Sequence, residues 1–146
     1  MKCVLPLVLL MCIMMSCSKD KKKDLLGTWS YDMITVNGKP SPYQHAANCQ
    51  KDYFRFSIEQ SIFYMHEEFL TKACNDCDDC PTLGTVREWT LEGEHLNLYV
   101  SKLKPPSEYT LISVDKNTLK YAYQTDYDKD GVIDQVEITA HRYTPN

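Results

Sequence analysis

Thr85-Val-Arg-Glu-Trp89-Thr-Leu91-Glu-Gly93-Glu-His95-Leu96-Asn-Leu98-Tyr-Val100 is the stretch whose reading decides the fold. Trp89 and Leu91 fall on one face of a first arm, and Leu96, Leu98 and Val100 fall on one face of a second. Glu92-Gly93-Glu94 between them is a compact hairpin turn. A period of two is the signature of a strand with one buried face.

The same alternation extends both ways. Toward the N-terminus, a strand over 26–36 places Trp29, Tyr31 and Met33 on one face and stops at Asn37-Gly38. Pro40 and Pro42 then hold a loop open. A strand over 52–59 alternates through Phe54, Phe56 and Ile58, and another follows over 61–69. Toward the C-terminus, strands over 109–114 and 118–125 are joined by Asp115-Lys116-Asn117, and a last one covers 135–143. No stretch shows a 3.6-residue apolar period. Eight short strands with turn signals between them predict an all-β, antiparallel barrel or sandwich.

The N-terminal end has a different character. Val4 to Met15 contains no charge, and Ser18-Lys19-Asp20-Lys21-Lys22-Lys23-Asp24 follows at once. The apolar run is short of the roughly 20 residues that cross a bilayer and fits a secretory signal. Met14-Met15-Ser16-Cys17 resembles a bacterial lipobox, in which a signal peptidase cuts before an acylated cysteine. The division expected is a signal over 1–16, a lipidated Cys17 with a flexible tether to 24, and one domain over 25–146. The resemblance implies an exported lipoprotein held by palmitate-type chains at an outer membrane, with Ser18 favouring that destination and the lysine-rich tether, which lacks an acidic run, favouring the periplasmic face. Each buried methylene contributes about 0.8 kcal/mol to such an anchor.

The formal net charge is −4, and losing Lys2 with the signal makes it one unit more negative. A mildly acidic chain is a poor partner for nucleic acid. The catalytic signatures are also missing: His66-Glu67-Glu68 lacks the second histidine of a zinc helix, and no nucleophile elbow, phosphate loop or dinucleotide fingerprint occurs. His45, His66, His95 and His141 are scattered and read as ordinary surface or edge residues. An enzyme is not expected.

Leu26-Gly27-Thr28-Trp29, the Trp89–Leu98 hairpin, and Tyr109-Thr-Leu-Ile-Ser-Val with Leu119-Lys-Tyr121 together resemble the lipocalin-like domain of bacterial lipoproteins. The resemblance implies a small antiparallel up-and-down eight-stranded barrel. Its interior would hold a small apolar or amphipathic ligand, lined by residues such as Trp29, Phe54, Phe56, Trp89 and Leu98, or the protein would stabilise other envelope components. The alternative is a filled barrel acting as a calcium-dependent surface module for a glycan or a partner protein.

Asp126-Tyr-Asp128-Lys-Asp130-Gly131-Val132-Ile133-Asp134-Gln-Val-Glu137 satisfies every specified position of the D-x-[DN]-x-[DN]-G-x5-E calcium loop. Alternate carboxylates of Asp126, Asp128 and Asp130 would point inward, and Gly131 allows the turn. The Val132 carbonyl, Asp134 through water and a bidentate Glu137 would complete the oxygen shell. Both flanks alternate like strands, so a calcium ion here would lock a hairpin rather than an EF-hand.

Of seven cysteines, Cys3 and Cys12 leave with the signal and Cys17 takes lipid. Cys49, Cys74, Cys77 and Cys80 remain, an even number that suggests two disulfides in an oxidising compartment. Asp76, Asp78 and Asp79 would raise the thiol pKa values and disfavour redox chemistry. The family resemblance implies Cys49–Cys74 with Cys77–Cys80, and Cys49–Cys80 with Cys74–Cys77 stays open beside it.

Overall fold

The alternating segments pair with their neighbours in sequence, as short connections between amphipathic strands require. The computed structural model describes residues 17–47, 49–70 and 82–145. A helix, α1 (Cys17–Leu25), precedes β1 (Gly27–Val36), β2 (Lys39–Pro42), β3 (Tyr53–Glu59) and β4 (Ile62–Leu70). Then come β5 (Thr82–Glu92), β6 (His95–Tyr99), β7 (Ser107–Val114), β8 (Thr118–Thr125) and β9 (Asp134–Arg142). The sheet runs in the order β2-β1-β3-β4-β5-β6-β7-β8-β9, and β9 returns to pair with β1. Strands β1 and β3 to β9 thus close an antiparallel eight-stranded up-and-down barrel.

Four details differ from the sequence expectation. Residues 39–42, expected as a loop, form a ninth strand that pairs with upper β1 from Val36↔Lys39 to Met33↔Pro42. Asn37 and Gly38 both have positive φ (49° and 78°), the backbone of a tight two-residue hairpin turn. The prolines are tolerated because β2 is an outer strip. Secondly, β1 changes register between Tyr31 and Met33, so Ile34 rather than Met33 packs on the core. Thirdly, Ile58 and Val100 sit at strand ends and are 48% and 71% exposed.

The fourth difference is the expected flexible tether, which is helical over Cys17–Leu25. Lysine is a good helix former, and Lys22 and Lys23 in the last turn suit the negative end of the helix dipole. Tertiary contacts hold the helix in place. Lys21 Nζ reaches Glu94 Oε1 at 3.2 Å, Lys22 lies over the Phe63 ring, and Leu25 is fully buried.

This helix seals one end of the barrel, the base. Trp29 Nε1 donates to Leu25 O at 2.8 Å, and the Arg142 guanidinium stacks 3.7 Å from the Trp29 ring centroid. Arg142 also donates to Leu26 O at 2.7 Å and to Asp24 O at 2.8 Å, satisfying carbonyls that a helix end leaves open. Gly27, with φ of 121°, lies directly under that guanidinium, and a Cβ there would collide with Arg142 Nη1. Burial lowers the Arg142 pKa, and Asp24 and Asp115 oppose the shift. Above this seal, Trp29, Phe54, Phe56, Met65, Trp89, Leu96, Leu98, Leu111 and Leu119 form a continuous core. Each such side chain contributes roughly 1.5–3 kcal/mol by leaving water.

Candidate functional site: a tyrosine cup at the barrel mouth

Along each strand the inward residues change character from base to mouth. On β1 they run Trp29, Tyr31, Ile34; on β5, Trp89, Arg87, Thr85. On β4 Met65 gives way to Glu67, on β7 Leu111 to Tyr109, and on β8 Leu119 to Tyr121 and Tyr123. Large apolar groups fill the lower half. In the upper half, tyrosines surround a cavity of about 270 Å³. Tyr31, Tyr43, Tyr109, Tyr121 and Tyr123 line it, with Ile34 and Ile138 as apolar wall.

A buried ion pair crosses this cup. Glu67 is almost fully buried, and Arg87 Nη2 approaches its Oε2 at 3.3 Å. Tyr31 OH donates to Glu67 Oε1 at 3.0 Å and Thr85 Oγ1 to Oε2 at 2.9 Å, so the carboxylate is fully engaged. Arg87 also donates to the Tyr109 hydroxyl. A carboxylate with three donors is what makes a charge tolerable in such a place.

Around the rim, Tyr43 stacks on Tyr31 with centroids 4.8 Å apart and donates to Asp52 Oδ2 at 2.7 Å. His45 Nδ1 accepts from the Asp52 amide at 3.0 Å, which leaves Nε2 to donate to Tyr31 O at 2.9 Å. This histidine is therefore a clasp for the connection between β2 and β3, more specific than the surface role expected of it.

Burial raises the pKa of Tyr31 well above 10, with Tyr121 and Glu67 adding to the shift. Tyr121 is raised for the same leading reason, and Tyr123 to a lesser extent. The Tyr43 pKa is raised by burial and by its bond to Asp52. All four remain neutral hydroxyls through the physiological range. The cup presents hydrogen-bonding hydroxyls and aromatic faces around one internally compensated ion pair.

The ligand-lining residues expected from the sequence lie elsewhere. Trp29, Phe54, Phe56, Trp89 and Leu98 are all at most 2% exposed. Phe56 packs edge-on to Trp89 at 5.3 Å and Phe54 edge-on to Phe56 at 5.8 Å. They are the packed floor beneath the cup, because the largest apolar groups fill the lumen where the barrel is sealed. The inward positions around open space are instead held by the tyrosines, Glu67 and Arg87. The signal that would have found them is polar or phenolic residues at inward positions of otherwise apolar strands.

The acidic loop between β8 and β9 borders the same mouth. Carboxylate oxygens of Asp126, Asp128 and Asp130 lie within 4.8 Å of one another. Asp126 Oδ1 is buried without a hydrogen-bond partner among the described residues. The loop amides of Asp130, Gly131 and Val132 donate to Asp128, Asp126 and Asp130 respectively. The rest of the expected shell departs from the pattern. Asp134 is buried, accepting from Asn37 Nδ2 at 2.6 Å and from the Tyr127 amide at 3.0 Å. Glu137 is already within β9, paired with Lys120 at 3.8 Å. A strand rises about 3.3 Å per residue, which carries Glu137 away from the loop.

Cys49 is disulfide-bonded. Cys74, Cys77 and Cys80 lie outside the described residues, as does the signal over 1–16. Cys17 begins α1 at the sealed base.

A barrel packed solid at one end and hollowed at the other is a calyx, a scaffold suited to holding small molecules. The family model described as a lipocalin-like domain matches residues 25–121, and the chain belongs to that family. Among solved structures, a lipocalin-like protein from Bacteroides uniformis matches with a TM-score of 0.56 at 10% identity, covering 82% of this chain and 99% of that one. The bovine lipocalin allergen Bos d 2 gives a TM-score of 0.47 at 16% identity, covering 84% and 75%. At 10% identity the likeness to the Bacteroides protein concerns the fold. No curated protein matches the chain. The fold is typically one of binding rather than catalysis.

Proposed function

We propose that this chain is an exported lipoprotein, anchored by acyl chains on Cys17 at the periplasmic face of an outer membrane, whose barrel holds a small amphipathic ligand. The observation that carries the binding role is the tyrosine-walled cup of about 270 Å³ above a packed floor. The anchor rests on the apolar-to-charged boundary at Cys17. Stacking faces, hydroxyls and a neutral-sum ion pair suit a molecule with an apolar or aromatic body and few polar groups.

Calcium is the second part of the proposal. The converging oxygens of Asp126, Asp128 and Asp130, with one of them buried and unpartnered, fit a hard cation. The ion would stiffen the loop that borders the mouth. The exposed Val132 and Ile133 on that loop favour a second reading, in which calcium presents them to a partner protein. Two disulfides from Cys49, Cys74, Cys77 and Cys80 would hold the facing connections.

Native mass spectrometry of the protein extracted from membranes tests these readings together. A co-purified small molecule and a diacyl or triacyl mass on Cys17 are the expected results. A calcium-sized mass lost on chelation and on Asp126→Ala with Asp128→Ala is expected for the loop. An empty barrel that also refuses small aromatic probes would overturn the binding role.

A further inference from the structure

We propose that the cup has a side port between β7 and β8, through which the bound molecule extends a polar head into a groove on the outer wall. This rests on the cup being a binding site and adds where the ligand leaves it and what its head must be.

The sheet itself opens there. The β7–β8 ladder runs from Val114↔Leu119 up to Thr110↔Ala122 and stops. Both strands continue: Ser107 pairs onward with Leu98 of β6, and Thr125 with Asp134 of β9. Each strand thus follows its other neighbour, and their upper ends part without backbone pairing between them. Two rings stand in the gap. Tyr109 and Tyr123 are tilted against each other with centroids 5.2 Å apart.

These two tyrosines line the cup on the inside and a second cavity of about 460 Å³ on the outside. The groove continues over His95, Glu108, Gln124 and Gln135. The cup alone falls just short of the roughly 300–1,000 Å³ of ordinary small-molecule sites, whereas cup and groove joined fall well within it. Rotation of a tyrosine side chain is a small, fast movement and suffices to join them.

The lining decides the head group. Inside the groove stand one carboxylate, two amides and an imidazole, with no lysine or arginine. Such a surface accepts hydrogen bonds and repels anions. The ligand class is therefore an amphiphile with an apolar tail and a hydrogen-bonding, non-anionic head such as a polyol, and alkyl phosphates or carboxylates are disfavoured.

Binding of octyl glucoside, octyl phosphate and naphthalene to the wild-type protein and to Glu108→Lys tests this. Glu108 is exposed, so the variant is expected to keep its melting temperature. The side port predicts that wild type prefers the glucoside, and that Glu108→Lys shifts the glucoside-to-phosphate ratio by roughly five- to tenfold toward phosphate. Naphthalene, which stays within the cup, should bind both proteins equally. Naphthalene binding with an unchanged ratio would overturn the port and leave the cup. Failure of naphthalene and both amphiphiles to bind the wild type would overturn the cup and the port together.

Discussion

The base and the mouth of this barrel are built on the same strands and teach opposite lessons about an interior. At the base, Trp29, Phe56, Trp89, Leu111 and Leu119 are sealed by Leu25 and Arg142, and both indole N–H groups find backbone carbonyls. At the mouth, one or two inward positions further along, tyrosines and a Glu67–Arg87 pair surround open space. The base therefore supplies stability, while the mouth keeps its polar groups around open space. Alternation decides only which face is inward; the size and chemistry of the inward residue decide whether that position fills or lines the lumen.

The contrast is most sharply broken at the base. Trp29→Ala removes one of the two floor tryptophans and its bond to Leu25, and should destabilise by about 3–5 kcal/mol in urea unfolding. In the mouth, Glu67→Gln strips Arg87 of its charge partner and should lower stability by about 2 kcal/mol. It should also weaken naphthalene binding, which distinguishes it from a floor mutation of equal severity. Arg142→Met loses the stacking on Trp29 and three carbonyl bonds, to Asp24, Leu26 and Lys116, at a largely solvated site, so about 1 kcal/mol is expected, with ligand affinity unchanged.

The smallest effect lies in the response to pH. Tyr31, Tyr43, Tyr121 and Tyr123 have folded pKa values raised above the ordinary 10, so the folded state holds its protons longer than the unfolded one. Their contribution is fully present below about pH 10 and is lost as pH rises through the folded values. Tyrosinate absorbance should therefore show a late group of tyrosines that ionise together with alkaline unfolding. A single ordinary transition near pH 10 with intact structure would contradict the burial of the cup.

Much of this was legible in advance. The hairpin at Trp89–Leu98 and the alternation around it are local signals, and the barrel follows from them. The bulge after Tyr31 and the strand at Lys39–Pro42 were hidden, because register shifts and outer strips answer to tertiary closure. The helix at Cys17–Leu25 was hidden for a similar reason: its support comes from Glu94, Phe63 and Arg142, far away in sequence. The cup is not legible in the sequence, because tyrosines on alternating strands read equally well as a binding mouth or as core and girdle packing. Barrel closure decides that Tyr109, Tyr121 and Tyr123 face open space. The acidic motif was visible, yet strand pairing takes Glu137 and a turn contact takes Asp134.

Placing α1 beneath the barrel has a consequence for traffic. A nine-residue helix is about 13 Å long, and it joins Cys17 to the sealed end. If Cys17 carries acyl chains as proposed, the bilayer would lie on the blind side of the calyx and the cup would open away from its own leaflet. Cargo would then be exchanged with the aqueous space or with a facing carrier, and the anchor would act as a stalk that aims a container rather than as a bridge that feeds it.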